Sequence, residues 1–434
     1  MKPPVNNNTN SNESRGKLLF VSRNLIAGGF SGPGEYAKAV IECLANNGFS
    51  IELLWLGNLP KHKIWHRVPD TAVKAGKIWM PFAWRVGNHM APRDPRRWFW
   101  TSLWRLCNFF SRSKIIRDKS FFSRLRARVD MTIKKSDGRF GDGVLPDADS
   151  SSAFESVFEN VRPDVVMVNY YILAPLFDRI RDGAISKVVL THNVGHAGIN
   201  RQTELACLQR ADALLAIQED DAAGYKQAVP GKEVLLFPIP FETVDCNKSS
   251  GRWRVLFVGG NHFTNAEGIR WFLEKIWPDV QKKRPESELH VCGSVCDNFR
   301  EPFPGVSFRG RLDDLAREYA EASVVVVPLL DGSGLKIKLV DALRHGCPVV
   351  STSIGLQGIG FIENVCALRA DSPEEFSSAL LRLLENDELR QDMQRAAKAM
   401  VRKRFSCQSC VKPFLQWHCG LKQRSKMRKE SMEG

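Results

Sequence analysis

Val327-Pro-Leu-Leu-Asp-Gly-Ser-Gly334-Leu-Lys-Ile-Lys-Leu-Val-Asp341-Ala-Leu-Arg-His345-Gly-Cys-Pro-Val-Val-Ser-Thr352 is the stretch on which the fold turns. A short apolar run ends at Pro328, a glycine loop follows, and helical periodicity sets in near Gly334 before a second apolar run from Pro348 to Ser351. Strand, glycine turn, helix and strand make the repeating unit of a doubly wound parallel sheet, whose ligands bind beyond the carboxyl ends of the strands. The amides that begin such a helix have no partner within it, and together with the helix dipole they favour an anion. Lys336 and Lys338 would oppose that dipole, so an anionic ligand gives them a reason to be there. Lys338, Asp341 and His345 are spaced to share one helical face, where the Asp341 carboxylate could accept both hydroxyls of a ribose. The plainer alternative is two solvated lysines and an Asp341–Lys338 ion pair.

The same unit recurs on both sides of this stretch. Upstream, apolar runs at Lys17–Ser22, Ile51–Leu56, Asp164–Asn169, Lys187–Thr191, Ala213–Ile217 and Glu233–Phe237 alternate with segments of helical period, including Glu35–Asn47. A polar linker from Cys246 to Gly251 intervenes. The pattern restarts at Arg254–Gly259 and continues through Glu288–Cys292, Val306–Arg309 and Ser323–Val327. At 434 residues the chain exceeds what one core usually serves. The expected class is therefore α/β, with two doubly wound Rossmann-like domains facing a cleft: residues 17–245 on the acceptor side and 252–405 for a nucleotide ligand. Residues 1–16 read as a polar tail and not a signal peptide, and residues 406–434 as a segment able to cross back to the first domain.

Residues 78–143 break the rhythm. They carry Trp79, Trp84, Trp98, Trp100 and Trp104 with several phenylalanines. Between Arg93 and Lys135 there are 13 Lys or Arg against 3 Asp or Glu, so this stretch holds +10 of the net +14. It is expected to be a basic, aromatic helical insertion. Three partners suit that composition: the first domain itself, an anionic membrane surface, or nucleic acid, the last being the least favoured. The 11 cysteines are scattered without a framework and read as reduced, in keeping with a cytoplasmic setting and, for a membrane-bound form, its inner face. Cys407, Cys410, His418 and Cys419 are poorly spaced for zinc, and Asp147-Ala-Asp149 lies in a polar loop and reads as a solvated turn, so no metal or cofactor is expected.

Asp331-Gly-Ser-Gly-Leu335, followed by Asp341 and the run to Thr352, resembles the signature of family 4 glycosyltransferases, which have the two-domain GT-B fold and are generally retaining. The likeness extends to Gly28-Gly29 in the first loop, Thr191-His192-Asn193, Arg210-Ala-Asp212 with Glu219 and Asp220, and Phe257-Val-Gly259. It implies transfer of a sugar from a nucleotide-diphosphate sugar to a glycan or lipid-linked acceptor. His192 and Asp331 take the places at the reacting sugar. Gly28, Gly29, Gly259, Gly260, Gly332, Ser333, Gly334, Leu335, Lys336, Lys338 and Asp341 take those around the donor. Two departures stand out. Nine residues separate Asp331 from Asp341, more than in many members, and Gly260–Asn265 lacks the Arg and Lys that usually grip the diphosphate. Lys336 and Lys338 are expected to replace them. The alternatives are a catalytically silent binder of nucleotide sugars and a sugar-nucleotide epimerase of the same fold.

Overall fold

The computed structural model describes residues 14–23, 32–57, 66–67, 76–86, 89–112, 120–137, 144–192, 200–245, 253–332, 335–359 and 365–433. The first domain runs β1 (Gly16–Ser22), α1 (Gly32–Asn46), β2 (Phe49–Trp55), β3 (His66–Arg67), β4 (Ile78–Trp79), β5 (Ala83–Val86), β6 (His89–Pro92), α2 (Pro95–Arg112), α3 (Ser120–Asp137) and α4 (Ala148–Val161). It continues with β7 (Val165–Asn169), β8 (Ser186–Leu190), α5 (Arg201–Leu208), β9 (Ala213–Ala216), α6 (Glu219–Ala228) and β10 (Glu233–Leu236). The second domain begins with β11 (Arg254–Val258), α7 (Phe263–Trp271), α8 (Trp277–Lys283), β12 (Glu288–Cys292), β13 (Val306–Gly310), α9 (Ala316–Glu321) and β14 (Val324–Val327). It closes with α10 (Ile337–Arg344), β15 (Val349–Ser351), α11 (Ser353–Leu356), β16 (Ala367–Arg369), α12 (Pro373–Glu385) and α13 (Asp387–Arg404), after which comes α14 (Cys407–Glu433).

Two parallel sheets result, ordered β10-β9-β8-β7-β1-β2-β4 and β13-β12-β11-β14-β15-β16. Interior strands such as β9 and β14 are apolar at every position because helices cover both faces. In β1, Leu18 and Phe20 enter one core cluster while Leu19 and Val21 enter the other, as the two-residue period of a strand requires. In β14, Val324 and Val326 divide from Val325 and Val327 in the same way. Phe414, Val411 and Cys410 of α14 join the first domain's core, so the last helix lies against α1.

Four local expectations change. Ile78–Trp79 belongs to the main sheet, where β4 pairs with β2 and the Trp79 indole donates to Glu52 at 2.6 Å, so the excursion starts after this strand; its β5 and β6 join β3, from before β4, in a small antiparallel sheet. Asp147 is a helix cap: its carboxylate accepts the amide of Ser150 at 2.8 Å and opens α4. The helix expected near Gly334 starts at Ile337, with Lys336 as its N-cap. Cys43 of α1 and Cys407 of α14 form a disulfide across a sequence separation of 364 residues, which departs from the reading of uniformly reduced cysteines.

Candidate active site

The first domain's half of the site forms where β1, β7 and β8 end. Ser22 and Asn169 end the adjacent strands β1 and β7, and His192 lies two residues beyond the end of the next strand, β8. The Asn169 amide donates to Ser22 Oγ at 3.1 Å, and its Oδ1 lies 2.6 Å from His192 Nε2. With the Asn nitrogen committed to Ser22, its oxygen must accept, so His192 carries the proton on Nε2. The imidazole is stacked on Tyr170 at 4.1 Å and met edge-on by Tyr36 at 5.3 Å. Tyr36 is itself anchored by a 2.5 Å bond to the Phe237 carbonyl. Tyr170 takes a φ of 75°, uncommon for a residue with a side chain, and this turn brings its ring under the histidine. Gly28 and Gly29 lie outside the described residues, as do Ser333 and Gly334.

The second domain's half forms where β11 and β14 end. Gly259 fits because a Cβ there would meet the Phe257 ring at 2.8 Å, whereas the same test at Gly260 finds open space. Behind them Gly293, at φ 101°, brings its backbone so close to Gly259 that a Cβ would lie 2.2 Å from the Gly259 oxygen. Only glycine permits both the angle and the approach. Asp331 is exposed, with its carboxylate accepting the Gly332 amide at 2.7 Å. Leu335 and Ile337 pack against the first domain's core, so the corner leading into α10 stands at the domain boundary.

The two lysines are the electrostatic centre. Buried Lys336 donates to the Gly332 carbonyl at 3.0 Å. Desolvation lowers its pKa to about 8, partly opposed by Asp221 of the first domain and by Asp331. Lys338 donates to Asn265 Oδ1 and lies 5.1 Å from the Phe257 ring centre. Desolvation and then Lys336 lower its pKa to about 7. A cation therefore does stand beside the Gly259–Asn265 loop, supplied from α10. Asp341 pairs with Arg344 at 2.7 Å and not with Lys338, because the lysine turns toward Asn265. His345 donates its Nδ1 proton to the Asp341 carbonyl at 2.7 Å and stacks on Tyr319, a structural placement.

Ser22, Asn169, Tyr170, Asn265 and Asp221 were not singled out by the sequence. The first two end apolar runs and were legible only as strand termini. Asn265 occupies the loop where a cation was found wanting, which was the one available signal. A separate opening of about 280 Å³ between the domains is lined by Glu219, Asp220, Gly358, Arg369 and neighbours, and none of the expected site residues borders it. Among the described residues there is no group of three or more His, Cys, Asp or Glu placed to hold a metal ion.

Residues 252–386 match the family described as Glycosyl transferases group 1. The chain has the GT-B fold, and its residues 252–386 are similar to that family. Sucrose-phosphate synthase from Thermosynechococcus elongatus superposes on this GT-B chain with a TM-score of 0.60 at 15% identity, covering 94% of this chain and 100% of the other. HepE from Anabaena, in complex with UDP-glucose, gives 0.55 at 12% identity, with 93% and 100% covered. In sequence, the GT-B chain is 29% identical over 163 residues to an uncharacterized 44.6 kDa protein in the cps region of Klebsiella pneumoniae. That match takes in 34% of this chain and spans 41% of the relative's length.

Proposed function

We propose that this protein transfers a sugar from a nucleotide-diphosphate sugar to a glycan or lipid-linked acceptor, with retention of configuration and without a metal. The observation that carries the reading is the pair Lys336 and Lys338, held desolvated at the amino end of α10 beside the glycine loop that follows β11. A desolvated cation is costly unless an anion completes it, and a diphosphate is an anion of the right charge. Asp341, one turn further along the helix, takes the ribose in this reading, and the exposed Asp331 takes the donor sugar. The UDP-glucose bound by the structural relative HepE supports a donor of this class.

In the reaction the bond from the anomeric carbon to the phosphate oxygen breaks, and its electron pair leaves with the diphosphate. The lysines and the leading amides of α10 neutralise that developing charge in a site of low dielectric. The acceptor oxygen bonds to the anomeric carbon from the same face, and its proton passes to the departing phosphate oxygen. His192, held by Asn169 and Tyr170, contacts the reacting sugar from the opposite domain.

The test is a thermal-shift screen of nucleotide diphosphates, followed by incubation of the selected nucleotide sugar with glycan and lipid-linked acceptors in the presence of EDTA. Selective stabilisation and a glycosylated product are expected. Nucleotide binding without a product would leave only a binding protein, conversion of the donor without any acceptor would indicate an epimerase, and loss of activity in EDTA would remove the metal-free reaction.

A further inference from the structure

The α2–α3 hairpin turns the wrong face outward for a helix that packs on its own domain. Phe99, Leu103, Leu106 and Phe110 follow one another at spacings of four, three and four, a single stripe on α2, with Phe109 beside it. Phe99 is 61% exposed, Leu106 52% and Phe109 67%, whereas Thr101 and Cys107 on the opposite flank are 3% and 1% exposed. That inner flank meets α3, where Arg126 donates to Asn108 at 3.1 Å. Thr101 is thus buried while Phe99, Leu106 and Phe109 are left in solvent. On α3, Met131, Arg124 and Arg128 are exposed.

We infer that this hairpin docks the protein on an anionic lipid bilayer, with α2 lying in the headgroup plane. Charge decides among the occupants. Arg93, Arg96, Arg105, Arg124 and Arg128 are exposed, and the segment from Arg93 to Lys135 holds 13 Lys or Arg against 3 Asp or Glu, so it would repel a second copy of itself and attract an acidic surface. The indoles Trp98, Trp100 and Trp104 are half-buried, and Leu106 between the exposed rings of Phe99 and Phe109 suits acyl chains better than bases. Among the described residues no helix is long and apolar enough to cross a membrane, so the stripe lies on the bilayer and does not traverse it.

The anchoring points give the docking a direction. The excursion leaves the first domain around Met80 and Met90, which pack on Trp55 at the carboxyl end of β2. It returns at Val144, whose carbonyl accepts from Arg23 just beyond β1. Both ends therefore fasten to the edge of the sheet that carries Ser22, Asn169 and His192, and a docked hairpin brings that edge toward the lipid. Docking does not depend on glycosyl transfer, since no donor or acceptor is needed for it.

The experiment is flotation of the full chain with vesicles of neutral lipid and of neutral lipid mixed with anionic lipid, at low and high salt. The chain is expected to float with the anionic vesicles, less so at high salt. A Phe99→Ser/Leu106→Ser/Phe109→Ser variant should lose about a hundredfold in partitioning with an unchanged melting midpoint, because the replaced side chains are exposed. Arg96→Glu/Arg105→Glu should lose binding to anionic vesicles only. Equal flotation of wild type and triple variant, no flotation of either, a dimer that the triple variant abolishes, or retention on nucleic acid lost in the triple variant would each overturn the proposal.

Discussion

The two halves of the cleft rest on sheets of the same construction yet do opposite electrostatic work. On the first domain, Ser22, Asn169 and His192 form a hydrogen-bonded chain braced by Tyr36 and Tyr170. On the second, Lys336 and Lys338 are cations kept from water, with depressed pKa values of about 8 and about 7. A braced hydrogen-bonded chain fixes geometry, and a pair of lysines with depressed pKa values favours an anion. Under the proposed function, the first domain would orient the reacting groups and the second would neutralise the leaving group.

Removing the oriented group should have the largest effect. His192→Ala should lower turnover by about a hundredfold or more while leaving nucleotide affinity nearly constant, read by initial rates beside calorimetric titration. An equal loss of affinity would erase the division of labour. Lys338→Met should do the converse, weakening nucleotide-diphosphate binding by about 1.5–3 kcal/mol, and the melting midpoint without ligand should hold or rise because a desolvated charge is gone. A fall in that midpoint with unchanged affinity would make Lys338 a structural residue.

The smallest effect is the pH dependence. Bound diphosphate raises the pKa of both lysines, so affinity should be greatest below about pH 7 and decline as pH rises through about 8. The unliganded protein should show the opposite trend. Its lysines sit below their ordinary value of 10.5, so the unfolded chain binds more protons above about pH 7 and these groups add stability as pH rises toward 10.5. Parallel titrations of affinity and melting midpoint should therefore diverge, and parallel slopes would break the contrast between the two halves.

Much of the architecture was legible before any coordinates. Runs such as Val324–Val327, apolar at every position and bounded by turns, indicate strands buried on both faces, and strand–helix alternation then makes the sheet parallel. The glycine loop before α10 marked the second half-site, although the first helical residue was Ile337 and not the neighbourhood of Gly334. The Trp- and Arg-rich segment was legible as an oddity of composition. Which face of α2 would point outward was not.

What the sequence determined by itself was whatever depends on neighbours in the chain: the two-residue period of the strands, the glycine turns, and the charge imbalance of the excursion. Only the tertiary structure decided that Lys338 reaches Asn265, 73 residues away, that His192 is held by Asn169, and that Cys43 meets Cys407. Local propensity acts over a few residues of backbone, whereas these pairings exist because separate strands end at the same edge of a sheet, or because a last helix returns to lie on the first. Spacing along a chain carries no record of such distances once the chain has folded back on itself.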